Sequence, residues 1–231
     1  MRVRWVTGFL DTPSRVAEPF WQAVTGSRLS ARRGPGGEFA TLVPAGGDAY
    51  LRVQVVGDGP ARAHLDLHVE DVAAQAGRAV GLGAAVVLDD GELVVLRSPA
   101  GLLFCLVPWQ GEAVRPAGGR SLVDQMCLDV PVGGFDAEAD FWAALTGWPR
   151  RAGSLPEFDF LLRPDGMPLR LLLQRVGGTA AGMHLDLACT DRAAEVAWHR
   201  ELGAEVVGGY ERWTTLRDPA GRAYCITDRP L

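Results

Sequence analysis

A chain of 231 residues, 48% hydrophobic and 22% charged, can bury one large core or two small ones. It holds no apolar run of about 18 residues, which excludes a membrane-spanning helix, and its net charge of −5, with no Lys and no basic block, excludes ordinary nucleic-acid binding. Residues 1–6 lack the apolar stretch of a secretory leader, so the expected location is the cytoplasm; there Cys105, Cys127, Cys189 and Cys225, none in a CxxC pair, stay reduced and act as small buried hydrophobes.

Residues 3–9 have strand composition. A helix is predicted over 14–25, with Ser14 as N-cap and Gly26 as stop. Residues 33–37 are glycine-rich but lack the strand–GxGxxG–helix context of a dinucleotide site, so they read as a loop. Residues 39–43 and 50–56 read as strands. Residues 64–69 alternate, with Leu65, Leu67 and Val69 on one face and His64, Asp66 and His68 on the other. A solvated or cavity-lining face accounts for the polar side; a core does not. Asp71 caps a helix predicted to run to about Leu82, with Gly83 as its stop. Strands are predicted at 85–88, 93–97 and 102–107, the last after the Ser98-Pro-Ala-Gly101 turn.

The chain then repeats. Residues 62–108 align without a gap on 182–228 at an offset of 120. His64-Leu-Asp-Leu67 meets His184-Leu-Asp-Leu187, Leu82-Gly-Ala84 meets Leu202-Gly-Ala204, Pro99-Ala-Gly101 meets Pro219-Ala-Gly221, and Cys105 meets Cys225. Phe20-Trp21 with Thr25-Gly26 recurs as Phe141-Trp142 with Thr146-Gly147, and Gln54 as Gln174. Duplication explains this density of identities. The second half should carry helices near 136–146 and 191–202. Two domains are expected, 1–110 and 121–231, joined by a short flexible linker at 111–120 that contains Pro116 and Gly118-Gly119.

Phe-Trp-x-Ala-[Val/Leu]-Thr-Gly, His-Leu-Asp-Leu, Leu-Gly-Ala-x-Val-Val and [Ser/Asp]-Pro-Ala-Gly-x-x-[Phe/Tyr]-Cys together resemble the glyoxalase-like and bleomycin-resistance domains of the vicinal oxygen chelate superfamily. Both halves carry the set. The resemblance implies an α+β fold: two tandem domains, each of two βαβββ modules forming a curved, partly open barrel with a concave ligand face. It also implies one of two activities. One is binding of a small organic molecule without a full metal site, the reading favoured here. The other is a metal-dependent lyase, isomerase or dioxygenase reaction. Metal-binding members supply mostly His and Glu from the first and last strands of each module. In this chain those positions carry His64 and His184, Gln54 and Gln174, and Cys105 and Cys225, with residues 4–5 and 123–124 on the opening strands. A divalent metal on His64 or His184 is thus short of ligands, and a four-ligand ion is not expected.

The candidate ligand-binding residues are His64, Asp66, Gln54, His184, Asp186, Gln174 and Trp213. A His-x-Asp pair on one strand face suits either hydrogen bonding to a ligand or proton transfer. His64-x-Asp66-x-His68 also has the donor types of a 2-His-1-carboxylate iron site, although Ala188 replaces His68 in the second half. Trp109, Trp148, Tyr210 and Trp213 are aromatic and suited to line a cavity. Tyr210 and Trp213, three apart in an extended segment, should face opposite ways, and Trp213 is the one expected to point inward. Trp21 and Trp142 read as core, His199 as a surface residue. The partner is a small organic molecule, with neither nucleic acid nor membrane, and the chain is expected as a monomer or homodimer.

Overall fold

A computed structural model describes residues 2–231. The elements run β1 (Val3–Thr12), α1 (Glu18–Thr25), β2 (Arg28–Leu29), β3 (Phe39–Val43), β4 (Leu51–Val55), β5 (Arg62–Val69), α2 (Val72–Gly81), β6 (Ala85–Asp89), β7 (Val94–Arg97) and β8 (Leu103–Pro108). The second half repeats them as β9 (Ser121–Pro131), α3 (Phe135–Thr146), β10 (Arg150–Ala152), β11 (Phe158–Leu161), β12 (Arg170–Val176), β13 (Gly182–Cys189), α4 (Arg192–Glu201), β14 (Glu205–Gly209), β15 (Trp213–Arg217) and β16 (Ala223–Thr227).

Each half forms one eight-stranded sheet, in the orders β2-β3-β4-β1-β5-β8-β7-β6 and β10-β11-β12-β9-β13-β16-β15-β14. Within each module the first and last strands are neighbours, and where the register is given they run parallel, as in β1–β4, β5–β8 and β13–β16. Such a pairing needs a crossover, which the helix and two further strands provide. Neither order closes on itself, so each sheet is a curved, partly open barrel. The α+β class and the four βαβββ modules stand as read from the sequence.

Local signals explain most element ends. Asp71 and Asp191 are extended N-caps whose carboxylates accept the amides of Ala74 and Ala194. Gly26 and Gly147 end α1 and α3 in the left-handed region, at φ 61° and 73°. One start was misplaced: α1 begins at Glu18, not near Ser14. Thr12 and Ser14 instead close a local turn in which the Ser14 amide reaches the Thr12 hydroxyl, so the hydroxyl residues serve the turn and no side chain caps the helix. The opening strands also repeat, at an offset of 118, where Leu10-Asp11-x-Pro13 meets Leu128-Asp129-x-Pro131.

Contacts divide the chain into two compact units. The first contains residues up to Thr7, then His64–Ala113 and Met126–Met183; the second contains Gly8–Ala63, Val114–Gln125 and His184–Leu231. Each unit therefore combines a βαβββ module of one half with a module of the other.

In the first unit, Phe141 and Trp142 of α3 lie edge-on to Phe104 at 5.9 and 5.0 Å, over a core that includes Leu67 and Ala79. In the second unit, Phe20 and Trp21 of α1 meet Tyr224 at 5.9 and 5.4 Å. Trp21 and Trp142 are fully buried, as expected, and all four cysteines are buried and outside any disulfide. His199, expected at the surface, is fully buried. The helix turn that holds it faces Phe20 and Tyr224 rather than solvent.

The segment 111–120 is irregular and is tethered. In the first unit Glu112 meets His68 at 3.2 Å. In the second, the Val114 amide donates to the Asp48 carboxylate at 2.8 Å, and Pro116 is buried. Among the described residues no helix is long and apolar enough to cross a membrane.

Candidate functional site

The second unit contains the richer site. β13 alternates, so Leu185 and Leu187 are fully buried on one face and His184 and Asp186 occupy the other. Parallel pairing sets Asp186 beside Cys225 on β16, and antiparallel pairing sets Cys225 beside Thr215 on β15. Trp213, two residues before Thr215, shares that face and pairs with Thr227. One sheet surface thus presents His184, Asp186, Cys225, Thr215 and Trp213.

Their side chains touch. His184 Nε2 is 3.3 Å from Asp186 Oδ1 and 3.7 Å from Cys225 Sγ. The Gln125 amide donates to Asp186 Oδ2. Thr215 Oγ1 lies 3.4 Å from Cys225 Sγ. Asp186 is buried, and burial by itself favours its neutral form. The hydrogen bond and charge of His184, then the charge of Arg229 and the Gln125 amide, outweigh that and hold the carboxyl below its ordinary range. Burial, reinforced by the Asp186 charge, pushes the Cys225 thiol up. A protonated thiol is a poor nucleophile.

The first unit repeats the group. Asp66 pairs with Cys105 across β5 and β8, and His64 Nε2 is 3.7 Å from Asp66 Oδ1. Asp66 and Cys105 are buried while His64 is partly exposed. His68 does not join them. It is buried, bonded through Nε2 to the Thr7 hydroxyl at 2.8 Å and close through Nδ1 to Glu112. The trio read from His64-x-Asp66-x-His68 is thereby broken: both nitrogens of its third member are committed elsewhere. Thr7 and Gln125 are equivalent at the 118 offset, so one repeat position serves His68 in one unit and Asp186 in the other.

Gln54 is half-buried on β4, in register with Asp11 and Phe39. Gln174 on β12 is opposite Phe158, and its amide oxygen is 3.7 Å from the Cys127 sulfur. Tyr210 and Trp213 do not face opposite ways as their spacing suggested. The Tyr210 amide donates to the Trp213 carbonyl at 2.9 Å, so they flank a tight turn, and the rings stack at 4.6 Å with 16° between planes. Tyr210 is exposed and Trp213 half-buried. Trp109 does line a cavity, in the first unit. It is a cleft of about 210 Å³ with Arg2, Trp5, Glu112 and Met167, where the Arg4 guanidinium lies 4.4 Å over the Trp109 ring. Trp148 is buried.

The family resemblance implies a metal held by hard His and Glu donors. The donors brought together here are one imidazole, one carboxylate and one thiol in each half, all within 4.8 Å of one another. Oxygen-activating iron uses two imidazoles and a carboxylate. The group does not fit that set, because Cys replaces the carboxylate of the last strand and the carboxylate instead comes from the strand of the His. Sequence reading missed this convergence by testing each position separately. The signal was the register of a parallel pair, which puts His, Asp and Cys on one face.

The sequence profile of the glyoxalase-like domain matches residues 9–107 and 125–227. Among curated proteins, none matches the chain in sequence. Solved structures share its fold at low identity. A mutant of 4-hydroxymandelate synthase from Streptomyces coelicolor superposes with a TM-score of 0.64 at 16% identity, covering 100% of this chain and 94% of that one. An extradiol ring-cleaving dioxygenase from B. fuscum gives 0.67 at 12%, covering 100% and 73%. The 2,3-dioxygenase LapB from Pseudomonas sp. KL28 gives 0.66 at 13%, covering 98% and 92%.

Proposed function

The chain belongs to the glyoxalase-like domain family of the vicinal oxygen chelate superfamily, and from that premise we propose that it binds a small, planar, polar organic molecule on the concave sheet face of its second half, without a full metal site. The observation that carries this is the shared face of His184, Asp186, Thr215 and Trp213. His184 is the partly exposed polar member, with 13% of its side chain accessible, and Asp186 behind it fixes its orientation. The Trp213 indole offers a stacking surface on the same face. The first half repeats His64 and Asp66, but Leu93 stands where Trp213 does and Val95 where Thr215 does, so it is the weaker site. No membrane or nucleic-acid partner is needed, and a cytoplasmic location suits the reduced cysteines.

The test uses catechol and 4-hydroxymandelate, aromatic compounds named in two structures of this fold, a catechol 2,3-dioxygenase and the 4-hydroxymandelate synthase, as probes of Trp fluorescence and thermal shift. Binding should quench Trp213. His184→Ala should weaken it by about 1–3 kcal/mol, the cost of an unpaired buried polar partner, and lower the melting temperature without unfolding the protein, because Asp186 loses one of its partners. If His184→Ala unfolds the protein, or leaves the affinity of a folded variant intact, His184 is structural and the site is wrongly placed.

A further inference from the structure

We propose that Tyr210 occupies the place on the Trp213 indole that a ligand's ring takes, so that the second-half site is covered by its own phenol until a single-ring phenol or catechol displaces it. The inference rests on the ligand reading above and narrows its ligand class. Tyr210 and Trp213 flank the turn at Glu211-Arg212, where the Tyr210 amide donates to the Trp213 carbonyl at 2.9 Å. Their rings stack at 4.6 Å with 16° between planes. The phenol also lies back across Gly208: a Cβ there would be 3.4 Å from Tyr210 Cε2 and 3.6 Å from its hydroxyl oxygen. Gly208 pairs with Thr215, and paired residues of antiparallel strands point to the same face. The ring therefore covers the face that carries Thr215 and Trp213.

The turn is fixed through its backbone, which leaves the ring able to move. Arg192 of α4 donates to the Tyr210 and Glu211 carbonyls at 3.1 and 2.9 Å and pairs with Asp228 at 3.1 Å. Tyr210 stays 54% exposed, so rotation of its side chain alone uncovers the indole, and exposed side chains rotate quickly. The first half builds the same turn without aromatic rings. There the Asp90 amide meets the Leu93 carbonyl at 3.1 Å, and the Asp90 carboxylate accepts the Leu93 amide at 2.7 Å. Leu88, Asp90 and Leu93 stand where Gly208, Tyr210 and Trp213 do. The fold thus does not require the glycine, the phenol or the indole, and together they make a covered aromatic surface. The cover is one phenol ring, so the surface beneath suits one ring of that size and polarity. Such self-occupation lowers apparent affinity by the fraction of molecules whose ring is away.

The experiment is calorimetric titration of the full chain with catechol, beside NMR of the free and the saturated protein. Tyr210→Ala should bind catechol about two- to tenfold more tightly than the wild type, a range set by the strength of one aromatic pair. Tyr210→Phe, which keeps the ring, should show no such gain. In the free wild type, NOEs should connect the Tyr210 ring to the Trp213 indole; they are assigned by their loss in Tyr210→Ala. They should be absent from Gly208→Leu, which installs the first-half residue under the phenol, and should vanish from the wild type on saturation. Should Tyr210→Ala fail to fold, the NOEs of the wild type and Gly208→Leu decide. Catechol affinity in Tyr210→Ala equal to or below that of the wild type, or NOEs that survive saturation, overturns the cover and leaves the ligand reading standing. Catechol bound by neither wild type nor Tyr210→Ala overturns the ligand reading and the cover with it.

Discussion

Where the first compact unit buries Gln75, Ala79 and Phe104, the second buries Glu195, His199 and Tyr224 at the same repeat positions. In the first, Gln75 donates to the Leu145 carbonyl and the aromatic contacts are otherwise apolar. In the second, His199 Nδ1 bonds the Tyr224 hydroxyl at 2.8 Å, and Ser121 donates to Glu195 at 2.6 Å. The tryptophans differ likewise. Trp142 donates to Glu138 on its own helix at 2.7 Å, whereas Trp21 donates to Asp218, 197 residues away in sequence, at 2.8 Å. Asp218 also takes the buried Arg222 guanidinium at 2.6 Å, and Arg222 bonds the carbonyls of Asp11 and Arg62. Ser98 and Leu102 hold those places in the first unit. One frame therefore tolerates a more and a less heavily charged interior, provided that each buried polar group finds a partner.

The sharpest way to break that comparison is to remove one ion of the ionic interior. Arg222→Leu leaves Asp218 buried and uncompensated, which should cost about 3–5 kcal/mol in denaturant unfolding. Arg222→Leu with Asp218→Ser installs the pair found at Leu102 and Ser98. It should recover much of the loss, because replacing both ions is far cheaper than stranding one. A double variant no more stable than the single would mean that the two units are not interchangeable at this point.

Acid should separate the units next. Burial lowers the His199 pKa to about 4, whereas the unfolded chain protonates it near its ordinary 6.5. The contribution is therefore intact above about pH 6.5 and is lost as pH falls toward 4. Asp186, held below its ordinary range, loses its contribution only at still lower pH. Ala79 occupies the equivalent place in the first unit, so His199→Ala should flatten the pH 6.5–4 limb of the stability curve. An unchanged slope in that variant would assign the limb to another group.

At the sites the expected difference is smaller. His184→Ala should cost about 1–3 kcal/mol of probe binding. His64→Ala should cost less, since no indole faces it on the strand equivalent to β15. Equal losses in isothermal titration would make the two halves equivalent receptors.

How much of this was legible in the sequence follows from which interactions are local. The duplication, the alternation of β5 and β13, the Asp71 cap and the Gly26 stop depend on neighbouring residues, and they were read correctly. The start of α1 was missed because the Thr12 hydroxyl had a nearer use in a turn. The buried state of His199 depends on Phe20 and Tyr224, far away in sequence, and no local pattern reports it. The Tyr210–Trp213 stack was misread because a spacing of three was taken as extended chain where the backbone turns. The His–Asp pairs were visible as adjacent residues. Their convergence with Cys225 and Cys105 required the strand register, which the sequence holds only implicitly.

The smallest expected effect tests a place where the two units have not diverged. Asp71 accepts the Ala74 amide at 2.9 Å and Asp191 the Ala194 amide at 3.0 Å, from extended backbones at φ −133° and −140°. Both are followed by an Ala-Ala pair and sit at the solvent edge of α2 and α4. Each cap satisfies one amide of the first turn that otherwise has no partner in the helix. Asp71→Ala and Asp191→Ala should therefore each cost about 1 kcal/mol, within the ordinary range for an N-cap. The decisive quantity is their difference, expected to be close to zero in paired denaturant curves. The sites are far apart in sequence and share no partner, so the double variant should lose the sum of the two. A much larger loss at Asp191 would show that α4, whose inner face carries Glu195 and His199, depends on its cap to keep that network in place; helix capping and the buried ionic interior would then be coupled in the second unit and independent in the first.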